Sequence, residues 1–141
     1  MNKLSSNKEY SHFLLDIKTR IKEAQYSALK SVNIELIQLY WDIGKKIVDK
    51  QEWGKSIVET LANDLQKEYL GIKGFSSANL WRMRNFYLNY KDSEKLAPLV
   101  REISWAKNIT IMEKCKNSLE REFYLKMTKK FGWTKDVLIH Q

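Results

Sequence analysis

Residues 55–90, KSIVETLANDLQKEYLGIKGFSSANLWRMRNFYLNY, decide the fold. Ile57, Leu61, Leu65 and Leu70 recur at helical spacing, Gly71-Ile72-Lys73-Gly74 interrupts the run, and Ser76 opens a second periodic stretch that reaches Tyr90. The spacing predicts two amphipathic helices joined by a glycine-bracketed turn, a helix-turn-helix-like unit. At about 100° per residue, the second helix sets Leu80, Met83, Tyr87 and Tyr90 on one side. Ala78, Arg82, Asn85 and Asn89 fall on the other.

Between Leu70 and Lys91 there is no Asp or Glu, while Lys73, Arg82, Arg84 and Lys91 are positive. Arginine can pair bidentately with guanine or a phosphate and asparagine with adenine, whereas a carboxylate would repel the nucleic-acid backbone. The candidate DNA-contacting set is therefore Lys73, Ser77, Arg82, Arg84, Asn85 and Asn89. Groups near the helix N-terminus would hold phosphates, and side chains further along would enter the groove of a duplex. The bland reading is a plain packing pair, because helix-turn-helix units also serve as scaffolding.

Charge and composition agree with an acidic partner. The 141 residues carry 25 Lys and Arg against 17 Asp and Glu, a net charge of +8, which favours nucleic acid first and an anionic surface second. A 43% hydrophobic fraction gives enough material for one core. Cys115 is the only cysteine, so no disulfide can form within the chain and a reducing, cytoplasmic setting is expected. The N-terminal stretch lacks the apolar run of a signal peptide, and no membrane span or membrane partner is expected.

The same inventory argues against chemistry. A metal site needs several closely placed ligands, and His12, His140 and Cys115 are far apart in sequence, so no metal or cofactor is expected. Neither nucleophilic triads nor a glycine-rich phosphate loop can be assembled from these residues. Glu120 with Glu122 and Asp49 with Glu52 are near neighbours, yet beside lysines they read as solvated or paired surface charges. No catalytic residue is assigned.

Along the rest of the chain, residues 1–8 are expected to be disordered and further helices follow. Phe13, Leu14, Ile17, Ile21, Ala24, Ala28 and Leu29 predict a helix over residues 9–31. A second, more central one should follow Asn33, with Leu36, Leu39, Tyr40, Ile43, Ile47 and Val48 as its stripe. Gly44 inside it suggests close approach of another helix. Pro98 marks a connector over residues 96–102. Ser104 is the expected N-cap of a helix to Cys115 with Ile109 and Met112 inward, and another helix should run from about Leu119 to Phe131 and stop at Gly132. Thr134 is a candidate cap for a last short helix through Ile139. Most of the five tryptophans should be core, with Trp81 at the edge of the polar face of its helix. The fold class is all-α, a multi-helix single domain, and the abrupt apolar end at Val137-Leu138-Ile139 reads as a cut inside a longer protein.

Val32-Asn33, Leu36-Ile37-Gln38-Leu39-Tyr40-Trp41-Asp42-Ile43-Gly44-Lys45, Gly74-Phe75-Ser76, Asn79-Leu80, Met83-Arg84, Phe86-Tyr87, Ile103-Ser104-Trp105, Phe123-Tyr124 and Trp133, in this order, resemble the N-terminal domain of the YhcG family. The resemblance spans about Phe13 to Gln141. It implies a cytosolic bacterial protein in which this helical domain precedes a C-terminal nuclease domain of the PD-(D/E)XK type. The nuclease acids and lysine would lie in that second domain, outside this chain, and the implied role is in DNA metabolism or defence against foreign DNA. One departure is Ala106-Lys107, where the family often has Ser-His.

The function expected is therefore a DNA-binding or DNA-positioning module of such a nuclease, not an enzyme by itself, with duplex DNA and the C-terminal nuclease domain as partners. The alternative is a protein-protein interaction or dimerisation module. In that reading the long first helices pair with a second copy or another subunit.

Overall fold

The computed structural model describes residues 7–50, 54, 56–132 and 139. Among them the chain forms six helices and no strand: α1 (Asn7–Asp49), α2 (Ser56–Glu68), α3 (Ser77–Tyr90), α4 (Ala97–Val100), α5 (Trp105–Lys114) and α6 (Ser118–Phe131). The fold is all-α. Residues 1–6 and 133–138 lie outside the description, and with them Trp133, Thr134, Val137 and Leu138, as do Glu52, Trp53 and His140. Asn7 and Lys8, expected in a disordered start, already belong to α1.

The two helices expected on either side of Asn33 are one helix of 43 residues. Nothing between Leu29 and Glu35 breaks a helix, since neither Gly nor Pro occurs there. Asn33 does not act as a cap; its amide donates to the Arg101 and Ile103 carbonyls at 3.3 and 3.2 Å.

The chain divides into two compact units, Met1–Val32 and Asn33–Gln141. In the first, every described residue is exposed, including Phe13 and Tyr26. The second holds the core. One cluster gathers Ile37 of α1, Phe86 and Tyr90 of α3, Val100 of α4, Ile111 and Met112 of α5, and Leu125 of α6. The other joins Tyr40 and Ile47 of α1, Val58 and Ala62 of α2, and Leu80 and Met83 of α3. Trp105 packs against both. Phe86 sits between the rings of Trp41 and Trp105, at centroid distances of 5.7 and 5.1 Å with edge-on geometry.

Gly44 is where α1 and α3 touch. A Cβ there would lie 2.2 Å from the Met83 carbonyl oxygen, so only glycine lets the two backbones come this close. The energy lost by glycine inside a helix, about 1 kcal/mol relative to alanine, is offset by the contact that it permits.

Helix ends follow local chemistry. The Ser76 and Ser104 hydroxyls accept from the Asn79 and Lys107 amides, capping α3 and α5 as expected. Gly132 ends α6 in the left-handed conformation with φ of 62°. The N-cap of α6 is Asn117, whose side chain accepts from the Glu120 amide. Pro98, read as a connector residue, lies in the first turn of the short α4, where its missing donor is not needed. In α5 the inward phase is carried by Asn108, Ile111 and Met112; Ile109 is only half-buried. Cys115 is buried, and that burial pushes its thiol pKa up.

Candidate nucleic-acid interface

The candidate surface comprises α3 and the segment that precedes it. α2 ends at Glu68 and α3 starts at Ser77, with Gly71 and Gly74 at positive φ between them. Only glycine takes φ of 106° at Gly74 without strain, and a Cβ there would also press on the Tyr40 hydroxyl. This connection is longer than the turn of about three or four residues that joins a DNA-binding helix-turn-helix. Leu70, placed by its spacing at the end of the first helix, falls in the connection and is exposed.

Asn79 sets the position of this segment. Its amide donates to the Gly74 carbonyl at 2.8 Å, and its oxygen accepts from the Trp105 indole at 2.9 Å. The connection is thereby tied to the start of α5. Sequence reasoning missed Asn79, although an asparagine in phase with Leu80, Met83 and Tyr90 on an apolar side signals a buried polar anchor. The inward side of α3 is Asn79, Leu80, Met83, Phe86 and Tyr90, while Tyr87 is half-buried.

On the opposite side, Arg82, Asn85 and Asn89 are exposed, Ser77 and Arg84 are half-buried, and Lys73 is exposed in the connection. These six residues differ in freedom. Lys73 and Ser77 pair with no side chain among the described residues. Arg82 lies 3.5 Å from the Glu113 carboxylate in a solvent-exposed pair that a phosphate could displace at little cost. Arg84 donates to the Asn85 oxygen at 3.3 Å and lies over the Trp81 ring at 5.5 Å. Trp81 itself is half-buried against the α2–α3 cluster.

Asn89 is the most committed of the six. Its amide donates to the Asn85 carbonyl at 2.7 Å and its oxygen accepts from Arg121 at 2.6 Å. Arg121 also donates to the Cys115 and Met112 carbonyls, closing the end of α5 onto the start of α6. A base contact through Asn89 would have to give up both bonds, so its first role is structural. Arg121 has no signature in the sequence, because its partners are brought together only by the fold.

Elsewhere, acidic side chains near α6 meet bases and amides. Glu122 receives Lys126 and Lys95 at 2.8 and 2.9 Å, and these hydrogen bonds hold its carboxyl below the usual range. Glu120 accepts from the Asn117 amide at 2.7 Å. Among the described residues no group of His, Cys, Asp and Glu could hold a metal ion, and no helix is long and apolar enough to cross a membrane.

An all-α domain with one acid-free helical face is thus the class that these features define. The chain belongs to the DUF1016 N-terminal domain family, whose match covers residues 16–141. It is 26% identical over 149 residues to "Putative nuclease YhcG" of Escherichia coli (strain K12), an alignment that covers 81% of this chain and 39% of that protein. The chain thus spans well under half the length of this relative. No solved structure matches it.

Proposed function

We propose that this domain positions duplex DNA for a nuclease of the PD-(D/E)XK type in the bacterial cytoplasm and does not itself cut. The observation that carries the reading is the α3 surface, where Arg82 and Asn85 face outward with no carboxylate between Leu70 and Lys91. Lys73, Ser77 and Arg82 make the phosphate contacts, and Arg84 and Asn85 lie further along the same helix. Asn89 contributes by holding Arg121 and the α3 end in place. In this reading α2 and α3 act as a helix-turn-helix-like unit with a lengthened connection. The relative's name supports a nucleic-acid substrate for the full-length protein.

Titration of a short duplex against salt tests it. Affinity should fall steeply with ionic strength, and Lys73→Ala and Arg82→Ala should each flatten the slope by about one. Absence of binding at low salt overturns the reading, and magnesium-dependent cutting by the purified domain overturns its non-catalytic part.

A second reading, an interaction module, is favoured by residues 7–32. Every one of them is exposed, including Phe13, Leu15, Ile17 and Ile21, and a helix with this much uncovered apolar surface is a candidate for pairing.

A further inference from the structure

We infer that Asn79, on the inward side of α3, is a positioning residue for duplex binding: by tying the Gly74 carbonyl to the Trp105 indole, it holds Lys73 and Ser77 ready for neighbouring phosphates. The inference rests on the DNA-positioning reading and adds to it a residue that touches no DNA.

The connection over residues 69–76 has little to hold it by itself. It contains Gly71 and Gly74, both at positive φ, and a glycine backbone has more freedom to lose than any other. Among the described residues, backbone bonds reach only its ends: the Ile72 amide donates to the Tyr69 carbonyl at 3.1 Å, and the Leu80 amide to the Ser76 carbonyl at 2.9 Å. Phe75 packs its ring against the core, which does not set the direction of the peptides around it. That direction comes from a corner where three helices meet. Gly74 lies against the Tyr40 hydroxyl of α1, its carbonyl accepts from the Asn79 amide of α3 at 2.8 Å, and the Asn79 oxygen accepts from the Trp105 indole of α5 at 2.9 Å. The Tyr40 and Trp105 rings meet edge-on with centroids 4.8 Å apart, which closes the corner. All of it lies within the unit Asn33–Gln141.

Asn79 is 9% exposed and is the one amide among the inward residues Leu80, Met83, Phe86 and Tyr90. An apolar side chain of the same size would pack there at little cost to folding. What the amide adds is direction, because its donor and its acceptor must both be met. The Ser76 hydroxyl completes the fastening by accepting from the Asn79 backbone amide at 3.2 Å. Lys73 directly precedes Gly74 and Ser77 directly follows Ser76, so the two phosphate contacts flank the fastened stretch. Held in advance, they need no ordering when a duplex arrives. Released, Lys73 would lose freedom on binding, and its contact would weaken.

Salt titrations of a short duplex against the whole chain test this. Asn79→Leu removes both side-chain bonds and keeps the bulk. It should weaken binding about tenfold at low salt and flatten the salt slope by about one, as the loss of one phosphate contact does, with the chain still folded by thermal unfolding. Lys73→Ala should weaken the wild-type chain several-fold and do nothing further in the Asn79→Leu background, where its contact is already lost. Trp105→Phe keeps a ring and removes the indole donor; it should give a smaller loss in the same direction and carries the test if Asn79→Leu does not fold. Wild-type affinity in Asn79→Leu, or an equal effect of Lys73→Ala in both backgrounds, overturns the role of Asn79 and leaves the DNA-positioning reading standing. Where Asn79→Leu does not fold, wild-type affinity in Trp105→Phe does the same. Binding that Lys73→Ala leaves unchanged removes Lys73 from the contacts and the role of Asn79 with it, and no binding by the wild-type chain at low salt overturns the DNA reading as well.

Discussion

Residues 10–29 and 37–47 of α1 carry apolar side chains at the same helical spacing, yet only the second stretch buries them. Phe13, Ile17 and Leu29 are exposed, whereas Ile37, Tyr40, Gly44 and Ile47 are covered. The difference is not hydrophobicity. It lies in Gly44, which lets the Met83 backbone approach, and in the aromatic residues of α3 that fill the space around it. Spacing specifies a helix and a face; complementary neighbours decide whether that face is buried.

This contrast is most easily broken at Phe86, where the expected loss is greatest. Phe86→Ala should cost about 3–5 kcal/mol in denaturant unfolding, because Phe86 is wholly enclosed between Trp41 and Trp105. Phe13→Ala should stay within about 0.5 kcal/mol, because Phe13 is exposed. Equal losses would show that the two stretches are alike after all.

Gly44→Ala comes next. The added methyl meets backbone, which cannot rotate away as a side chain can, so α1 and α3 must separate at a cost of about 3 kcal/mol despite the better helix former. A neutral or stabilising result in thermal unfolding would remove the account of close approach given above.

Tyr90 sharpens the comparison by pH. Burial, slightly opposed by Arg121, pushes its pKa up to about 12 from 10.0. The folded state therefore holds the phenol proton where the unfolded state has released it. The stabilisation is complete below the unfolded pKa and is lost as pH rises from 10 to about 12. The loss should be on the order of 2 kcal/mol, read as the difference between the wild type and Tyr90→Phe. At neutral pH that variant should be nearly neutral, because the buried Tyr90 hydroxyl has no hydrogen-bond partner among the described residues.

The smallest effect on folding belongs to the outward face of α3. Arg82→Ala loses only an exposed pair with Glu113, so unfolding should shift by under about 0.5 kcal/mol. Asn89→Ala should shift it more, through Arg121. If the two variants are equally silent, Asn89 is not the tie described.

Much of this was legible in the chain. The Ser76 and Ser104 caps, the Gly132 stop, the close approach at Gly44 and the inward phase of Leu80, Met83 and Tyr90 all follow from local chemistry and period. What was hidden depends on contacts distant in sequence. Asn33 reads locally as a helix boundary, but its partners are carbonyls in the segment after α4. The helix expected from about Leu119 starts at Ser118, because the Asn117 side chain caps it by accepting from the Glu120 amide. For the candidate site, the outward placement of Arg82 and Asn85 was readable from phase, while the engagement of Asn89 by Arg121 was not.

The hydrogen bond from the Trp105 indole to Asn79 has one more use. Asn79 also holds the Gly74 carbonyl, so any ligand that rearranges the segment before α3 must disturb the indole proton. That proton resonates apart from the backbone amides in a nuclear magnetic resonance spectrum. The molecule therefore carries its own reporter for engagement of this region, and no label is needed to follow it.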